Sequence, residues 1–274
     1  MSEREAGYIH GYSDDEARRL IEQADFLAPW VLDGLDLDGV GRLLEIGIGV
    51  GAQTRLLRRR WPSMPVIGVD ISDEQLTRAR QVLADDLAAG AVELVRASAT
   101  ALPLHDGQVD GAFICFMLEH VPEPAAVLCE CARVVAPGGR VWVTEVYNAS
   151  LALEPTKPAL DHYWTAFCAA QRAAGGHPNI GARLPELAAK AGLEVVSHRF
   201  IPFLGDARDP AGRAAKLRYF RALLRSAEPQ LLAAGAFTPA ELAEVWAAYD
   251  AIEAAPDALI CYTGAKLEAR VPRR

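Results

Sequence analysis

The sequence predicts an α/β fold in which a doubly wound sheet of seven strands, mostly parallel with one antiparallel edge strand, carries helices on both faces. Three observations predict it. Short apolar runs alternate with stretches of helical period across residues 41–146, as βαβ units require. The first run, Leu43-Leu44-Glu45-Ile46, passes into Gly47, Gly49 and Gly51 and then into the helix-like stretch Ala52 to Arg60. Such a turn lets a ligand approach the backbone closely. The fourth run, Gly111 to Phe116, lacks polar residues altogether, as a central parallel strand covered on both faces would.

The elements follow in order. Ser13-Asp14-Asp15-Glu16 is a capping box, and Ala17, Leu20, Ile21, Ala24, Leu27 and Ala28 then repeat with helical period. Val66 to Asp70 is the second strand. Ser72 opens a helix predicted to run to about Ala89, where Gly90 stops it. Val92 to Arg96 is the third strand, followed by Ala97-Ser98-Ala99-Thr100. A helix from Pro124 to Val135, the turn Pro137-Gly138-Gly139 and a strand from Val141 to Val146 close this half. Residues 147–182 hold Tyr147, His162, Tyr163, Trp164, Phe167 and His177, and exceed the roughly 4 to 6 residues of an ordinary connection. Leu184 to Ala191 reads as a helix and Glu194 to Phe200 as the sixth strand. Residues 205–256 are a second, helical insertion with a capping box at Thr238-Pro239-Ala240-Glu241, and Ala258 to Thr263 is the seventh strand.

The residues of the glycine loop narrow its ligand. A phosphate-binding loop needs Lys and then Ser or Thr after its last glycine, and Ala52-Gln53 stands there instead. A dinucleotide fingerprint is a closer rival, since Gly47, Gly49 and Ala52 meet its loose form and Asp70 lies near the distance of a ribose partner. An NAD-type oxidoreductase is therefore one alternative. Glu45 argues against it, because a carboxylate two residues before the first glycine repels a pyrophosphate and suits a cationic amino group. S-adenosylmethionine carries an adenosine and an ammonium and no phosphate.

The chain resembles the class I S-adenosylmethionine-dependent methyltransferases, Rossmann-like enzymes, and among them the small-molecule group that includes ubiquinone and menaquinone biosynthesis. Five stretches in order carry the resemblance: Glu45 to Gly51, Val66 to Asp70, Leu102-Pro103-Leu104 with Val109 to Phe113, Leu118 to Pro124, and Ala132 to Arg140. The resemblance implies one domain over residues 1–274: a helical lid at 1–40, a cofactor-binding core at 41–146, and cap insertions at 147–182 and 205–256 that build an acceptor pocket. It implies S-adenosylmethionine as cofactor, bound by Glu45, Gly47, Gly49, Gly51, Asp70, Ile71, Ser98, Ala99 and Cys115, with Tyr12 from the lid. Ser98 stands where many relatives have an Asp for the adenine amino group. In the presumed pocket His120, His162 and Tyr163 are the catalytic candidates. The expected activity is methyl transfer to a small, aromatic or heteroaromatic acceptor; a non-methylating cofactor binder of the same fold is the other alternative.

Composition sets the outer limits. A chain of 274 residues, 51% hydrophobic, can bury one large core or a core with a small cap. Its net charge of -8 opposes binding to a phosphate backbone, and the basic run Arg55 to Arg60 reads as a solvated helix face. No apolar run approaches the roughly 20 residues of a membrane span, and Met1-Ser2-Glu3-Arg4-Glu5 lacks a signal-peptide pattern. A cytoplasmic location is expected. The five cysteines include no C-x-x-C pair, so no metal site is expected. The oligomeric state stays open, a homodimer included.

Overall fold

A computed structural model of the chain describes residues 14–273. One sheet contains β1 (Leu43–Ile46), β2 (Val66–Asp70), β3 (Val92–Arg96), β4 (Val109–Cys115), β5 (Val135–Glu154), β6 (Glu194–Gly205) and β7 (Leu259–Arg270) in the order β3-β2-β1-β4-β5-β7-β6. Strands β1 to β5 pair in parallel, and β7 is antiparallel to both β5 and β6. The antiparallel strand thus belongs to the edge pair, with β6 outermost. Strand order reverses between β1 and β4, which places a crevice at their carboxyl ends.

The helices are α1 (Asp14–Val31), α2 (Ala52–Arg60), α3 (Asp73–Val82), α4 (Ala84–Ala88), α5 (Pro124–Val134), α6 (Pro158–Ala173), α7 (Leu184–Lys190), α8 (Pro210–Ser226), α9 (Glu228–Ala233) and α10 (Pro239–Ala254). Among the described residues none is long and apolar enough to cross a membrane. Several predicted boundaries move: β5 begins at Val135, before the expected Pro137-Gly138-Gly139 turn, while β6 runs on to Gly205 past Phe200 and β7 to Arg270 past Thr263, since these strands keep pairing with one another. The helix expected from Ser72 to Ala89 breaks at Leu83, whose buried side chain packs under the glycine loop beside Gly51. Residues 147–154, expected as cap, continue β5, because the far ends of β5 and β7 keep pairing at Ala152 to Glu154.

Helices α6, α8, α9 and α10 form the cap. Their apolar faces merge with the core under the sheet through Tyr163, Leu217, Phe220, Leu224, Val245, Trp246 and Tyr249. Buried hydroxyls here find partners: Tyr163 donates to the Leu224 carbonyl at 2.7 Å and Tyr249 to the Leu217 carbonyl at 2.8 Å.

The carboxyl end of α1 is fastened to the sheet. Lys266 of β7, buried, donates from Nζ to the carbonyls of Val31 at 2.6 Å and of Asp33, where a helix end presents unpaired oxygens and favours a cation. Trp30 donates from its indole to Ile201 O of β6 at 3.2 Å, and its ring lies on Gly264: a Cβ there would sit 1.9 Å from Trp30 Cη2. Gly264→Ala is therefore expected to displace Trp30 and cost about 1 to 3 kcal/mol. Thermal denaturation checks this, with a fall of roughly 2 to 4 °C per kcal/mol expected.

Candidate active site

The glycine loop follows β1 at the crevice. Gly47, Gly49 and Gly51 have φ of 74°, 53° and 80°, a region that side chains disfavour. A Cβ on Gly47 would lie 2.4 Å from Met117 Cγ, whereas Gly49 faces open space. Gly47→Ala should consequently disturb both the loop and the turn after β4. Loss of ligand affinity with a lowered melting temperature is expected, measured by calorimetry and thermal denaturation; unchanged affinity would contradict it.

Asp70 ends β2 beside this loop, and its two oxygens accept the Gly49 amide at 2.9 Å and the Ser72 amide at 3.0 Å. The carboxylate is thereby oriented before any ligand arrives. Glu45, in the middle of β1, is 2% exposed and accepts the Thr54 hydroxyl from α2. Burial is the main cause that pushes its pKa up to about 8, against the lowering effect of that bond.

The turn after β4 supplies the next groups. Phe116 has a φ of 52°, an uncommon value for a side chain of this size. Glu145 Oε1, buried, accepts the amides of Met117 at 2.9 Å and Leu118 at 2.6 Å and so holds the turn in place. Glu119 is also buried; Gln171 donates to its Oε2 at 2.7 Å, and its Oε1 lies 3.6 Å from His120 Nε2. Desolvation, opposed by Gln171 and Arg19, leaves its pKa near 7. His120 is pushed down to about 4 by burial and by Arg19. Its imidazole is neutral at neutral pH and a poor base.

These groups border one cavity of about 500 Å³. At one end lie Glu45, Gly47, Gly49, Asp70, Ile71, Ser98 and Ala99, together with Gln53 and Gln75, whose buried Oε1 atoms have no hydrogen-bond partner. This end therefore offers unmet acceptors to a ligand's donors, which suits a nucleoside. Ser98 shares its hydroxyl with Thr100 at 2.8 Å. The other end is walled by Trp30, Phe116, Trp164, Phe167, Phe220 and Tyr262, with Asn148 as a buried polar side chain. Cys115 and His120 line it as well, and α1 covers it with Arg19, Leu20 and Gln23.

The structure brings together most of the residues singled out in the sequence, with four exceptions. Gly51 turns away from the cavity, serving the start of α2 and packing on Leu83. Tyr12, expected from the lid, lies outside the described residues. Tyr163 does not reach the cavity: it is fully buried in the cap, with its hydroxyl on Leu224 O. His162 does not reach it either, being exposed with its ring 5.0 Å from Phe237. Trp164 and Phe167, one turn apart and stacked at 5.1 Å, line the cavity in their place. Residues unassigned in the sequence are Glu119, Asn148 and Tyr262. Only Glu119 carried a signal, its place beside His120 in Leu118-Glu119-His120.

Residues 44–143 match a family described as "Methyltransferase domain". A ubiquinone/menaquinone biosynthesis C-methyltransferase UbiE from Syntrophotalea carbinolica is 35% identical over 126 residues, 46% of this chain and 50% of that protein. The chain spans about half the length of the first curated relatives it matches. Among solved structures, the [4+2]-cyclase SpnF superposes with a TM-score of 0.58 at 23% identity, over 93% of this chain and 81% of that one. Phosphoethanolamine N-methyltransferase 2 of Haemonchus contortus, solved with S-adenosyl-L-methionine, gives 0.57 at 18% identity, over 96% and 58%. At such identities these two structures speak for the fold.

Proposed function

We propose that this chain is a class I S-adenosylmethionine-dependent methyltransferase and that it methylates a small, aromatic or heteroaromatic metabolite. The observation that carries the reading is the single cavity, which joins the glycine loop and Asp70 at one end to an aromatic chamber at the other.

S-adenosylmethionine is the cofactor, and when bound it supplies a methyl group on a sulfonium, a leaving group good enough that alignment does much of the work. Asp70, already turned by two amides, accepts from the ribose hydroxyls. Glu45 receives the ammonium, the Ser98 hydroxyl serves the adenine edge, and α1 acts as a lid. The aromatic walls exclude water and stack on a planar acceptor. A net charge of -8, with Arg55 and Arg58 of α2 engaged by Asp25 and Asp86, supports a small molecule over a nucleic acid as acceptor.

Calorimetry with S-adenosylhomocysteine and with NADH tests the cofactor, and methyl transfer from labelled S-adenosylmethionine to a panel of phenols, heteroaromatic rings and amines tests the activity. Preference for NADH would support the oxidoreductase alternative. Binding of S-adenosylhomocysteine without transfer to any acceptor would favour the non-methylating one.

Glu45 gives a pH test. Its folded-state pKa, about 8, is raised above the ordinary carboxylate value. Stability owed to its neutral form is thus fully present below the unfolded pKa and is lost as pH rises through about 8. An ammonium beside it reverses the preference. Binding of S-adenosylhomocysteine at pH 7 should release about one proton, seen as a binding enthalpy that varies with the ionisation enthalpy of the buffer. Glu45→Gln should remove that release, and an unchanged release would refute the pairing.

A further inference from the structure

We propose that Glu119 takes the proton from the acceptor, and that a chain of three side chains, half-buried Tyr262 and buried Asn148 and Gln171, positions it. The inference rests on the methyltransferase reading and deepens it by naming the group that activates the acceptor.

The chain of bonds runs beside the aromatic chamber, which Tyr262, Asn148 and Glu119 line and Gln171 does not. Tyr262 donates its hydroxyl to Asn148 Oδ1 at 2.6 Å, Asn148 donates Nδ2 to Gln171 Oε1 at 3.3 Å, and Gln171 donates Nε2 to Glu119 Oε2 at 2.7 Å. Asn148 is held independently, its amide donating to Pro178 O at 2.9 Å and its carbonyl accepting the Trp164 indole at 3.0 Å. Four elements that are distant in sequence, β7, β5, α6 and the turn after β4, thus converge on one carboxylate. Every donor points towards Glu119. Bonds aligned in this way polarise one another and stabilise negative charge at the receiving end. Gln171 engages Oε2 and leaves Oε1 on the His120 side.

The other titratable candidates are used elsewhere. His120 is a poor base, His162 lies outside the cavity against Phe237, and His177 directs Nε2 to Pro122 O. Glu45 is at the cofactor end on Thr54, and Glu145 holds the turn by its amides. The groups facing Glu119 are Arg19 from α1, Cys115 from β4, His120 beside it, Glu145 from β5, Cys168 from α6, Tyr219 from α8 and Tyr262 from β7. Within this set Glu119 changes charge near pH 7, where a base must be poised to work in neutral solution.

The step balances. The acceptor's O–H, N–H or C–H bond breaks, its proton passes to Glu119 and its electron pair forms the new bond to the methyl carbon. The electron pair of the methyl's former bond stays on sulfur, so a carboxylate and a sulfonium become a carboxylic acid and a thioether.

The test uses the full chain saturated with S-adenosylhomocysteine and 2-naphthol as probe, its binding followed by fluorescence from pH 5.5 to 9. A neutral phenol bonds best to an ionised Glu119. Affinity should therefore rise about tenfold through pH 7 and fall when the probe itself ionises. Glu119→Gln should abolish the rise and leave affinity for S-adenosylhomocysteine unchanged. Tyr262→Phe removes the first donor of the chain and should move the midpoint to higher pH, a shift that a merely packing role would not produce. A rise that persists in Glu119→Gln, a flat wild-type profile, or no binding of 2-naphthol would each overturn the proposal. If S-adenosylhomocysteine itself fails to bind, the cofactor reading fails instead.

Discussion

Asp70→Ala is expected to weaken binding of S-adenosylhomocysteine by about 100-fold or more. Two ribose hydroxyls would lose charge-assisted bonds worth roughly 1.5 to 3 kcal/mol each. A second loss adds to the first, since the same carboxylate accepts the Gly49 and Ser72 amides. Without it the loop amides lose the acceptor that sets their direction, and the ligand must organise what the free protein had already organised. Asp70→Asn keeps one carbonyl oxygen and should fall between wild type and alanine. Calorimetry gives the affinities, and thermal denaturation verifies that the variants fold. An unchanged dissociation constant in folded Asp70→Ala would reject Asp70 as the ribose partner.

Tyr163→Ala is expected to act on stability. The ring is fully buried, 5.3 Å from Phe237 and 5.6 Å from Trp246, and its hydroxyl is bonded to Leu224 O. Removing a buried aromatic ring costs about 3 to 5 kcal/mol, roughly 6 to 20 °C in melting temperature for a chain of this size. Tyr163→Phe, which loses only the hydrogen bond, should cost about 1 kcal/mol. His162→Ala, at an exposed ring, should change little. Methyl transfer per folded molecule should persist in all three. Lost turnover at an unchanged melting temperature would return Tyr163 to the acceptor site.

How far the sequence could be read depended on how local each determinant is. Strand periodicity, the glycine turn and the acid at the end of β2 depend on neighbours within a few residues, and Leu43 to Asp70 folds as its pattern predicts. The aromatic chamber is assembled from β4, β5, α6, α8 and β7, and no local pattern announces such convergence. Tyr163 and Trp164 show the limit. Each lies within one turn of Phe167 on α6, so helical period admits either into the cavity. The choice falls to α8 and α10, whose apolar faces enclose Tyr163 and leave Trp164 to the cavity. The Tyr262-Asn148-Gln171-Glu119 chain was equally illegible, because its four members are separated by tens of residues.

The fastening of α1 has a mechanical consequence. Ala17, Leu20 and Ile21 pack half-buried against Val50, Ala52 and Leu56, Ala24 is fully buried among them, and the end of the helix is held by Lys266 and the seat of Trp30 on Gly264. Arg19, Leu20 and Gln23, which cover the cavity, lie before the fully buried part, where the contacts with α2 are only half-buried. At about 1.5 Å per residue, the stretch from Asp14 to Ala24 is a lever arm of roughly 15 Å on a fixed pivot. A tilt of about 20° at the pivot would lift its tip by roughly 5 Å, enough to admit a flat ring edge-on while the sheet and the glycine loop stay still. On the proposed reading, passage of acceptor and product would depend on the stiffness of one helical turn, and amide exchange along α1 should slow in steps from its first turn towards Val31.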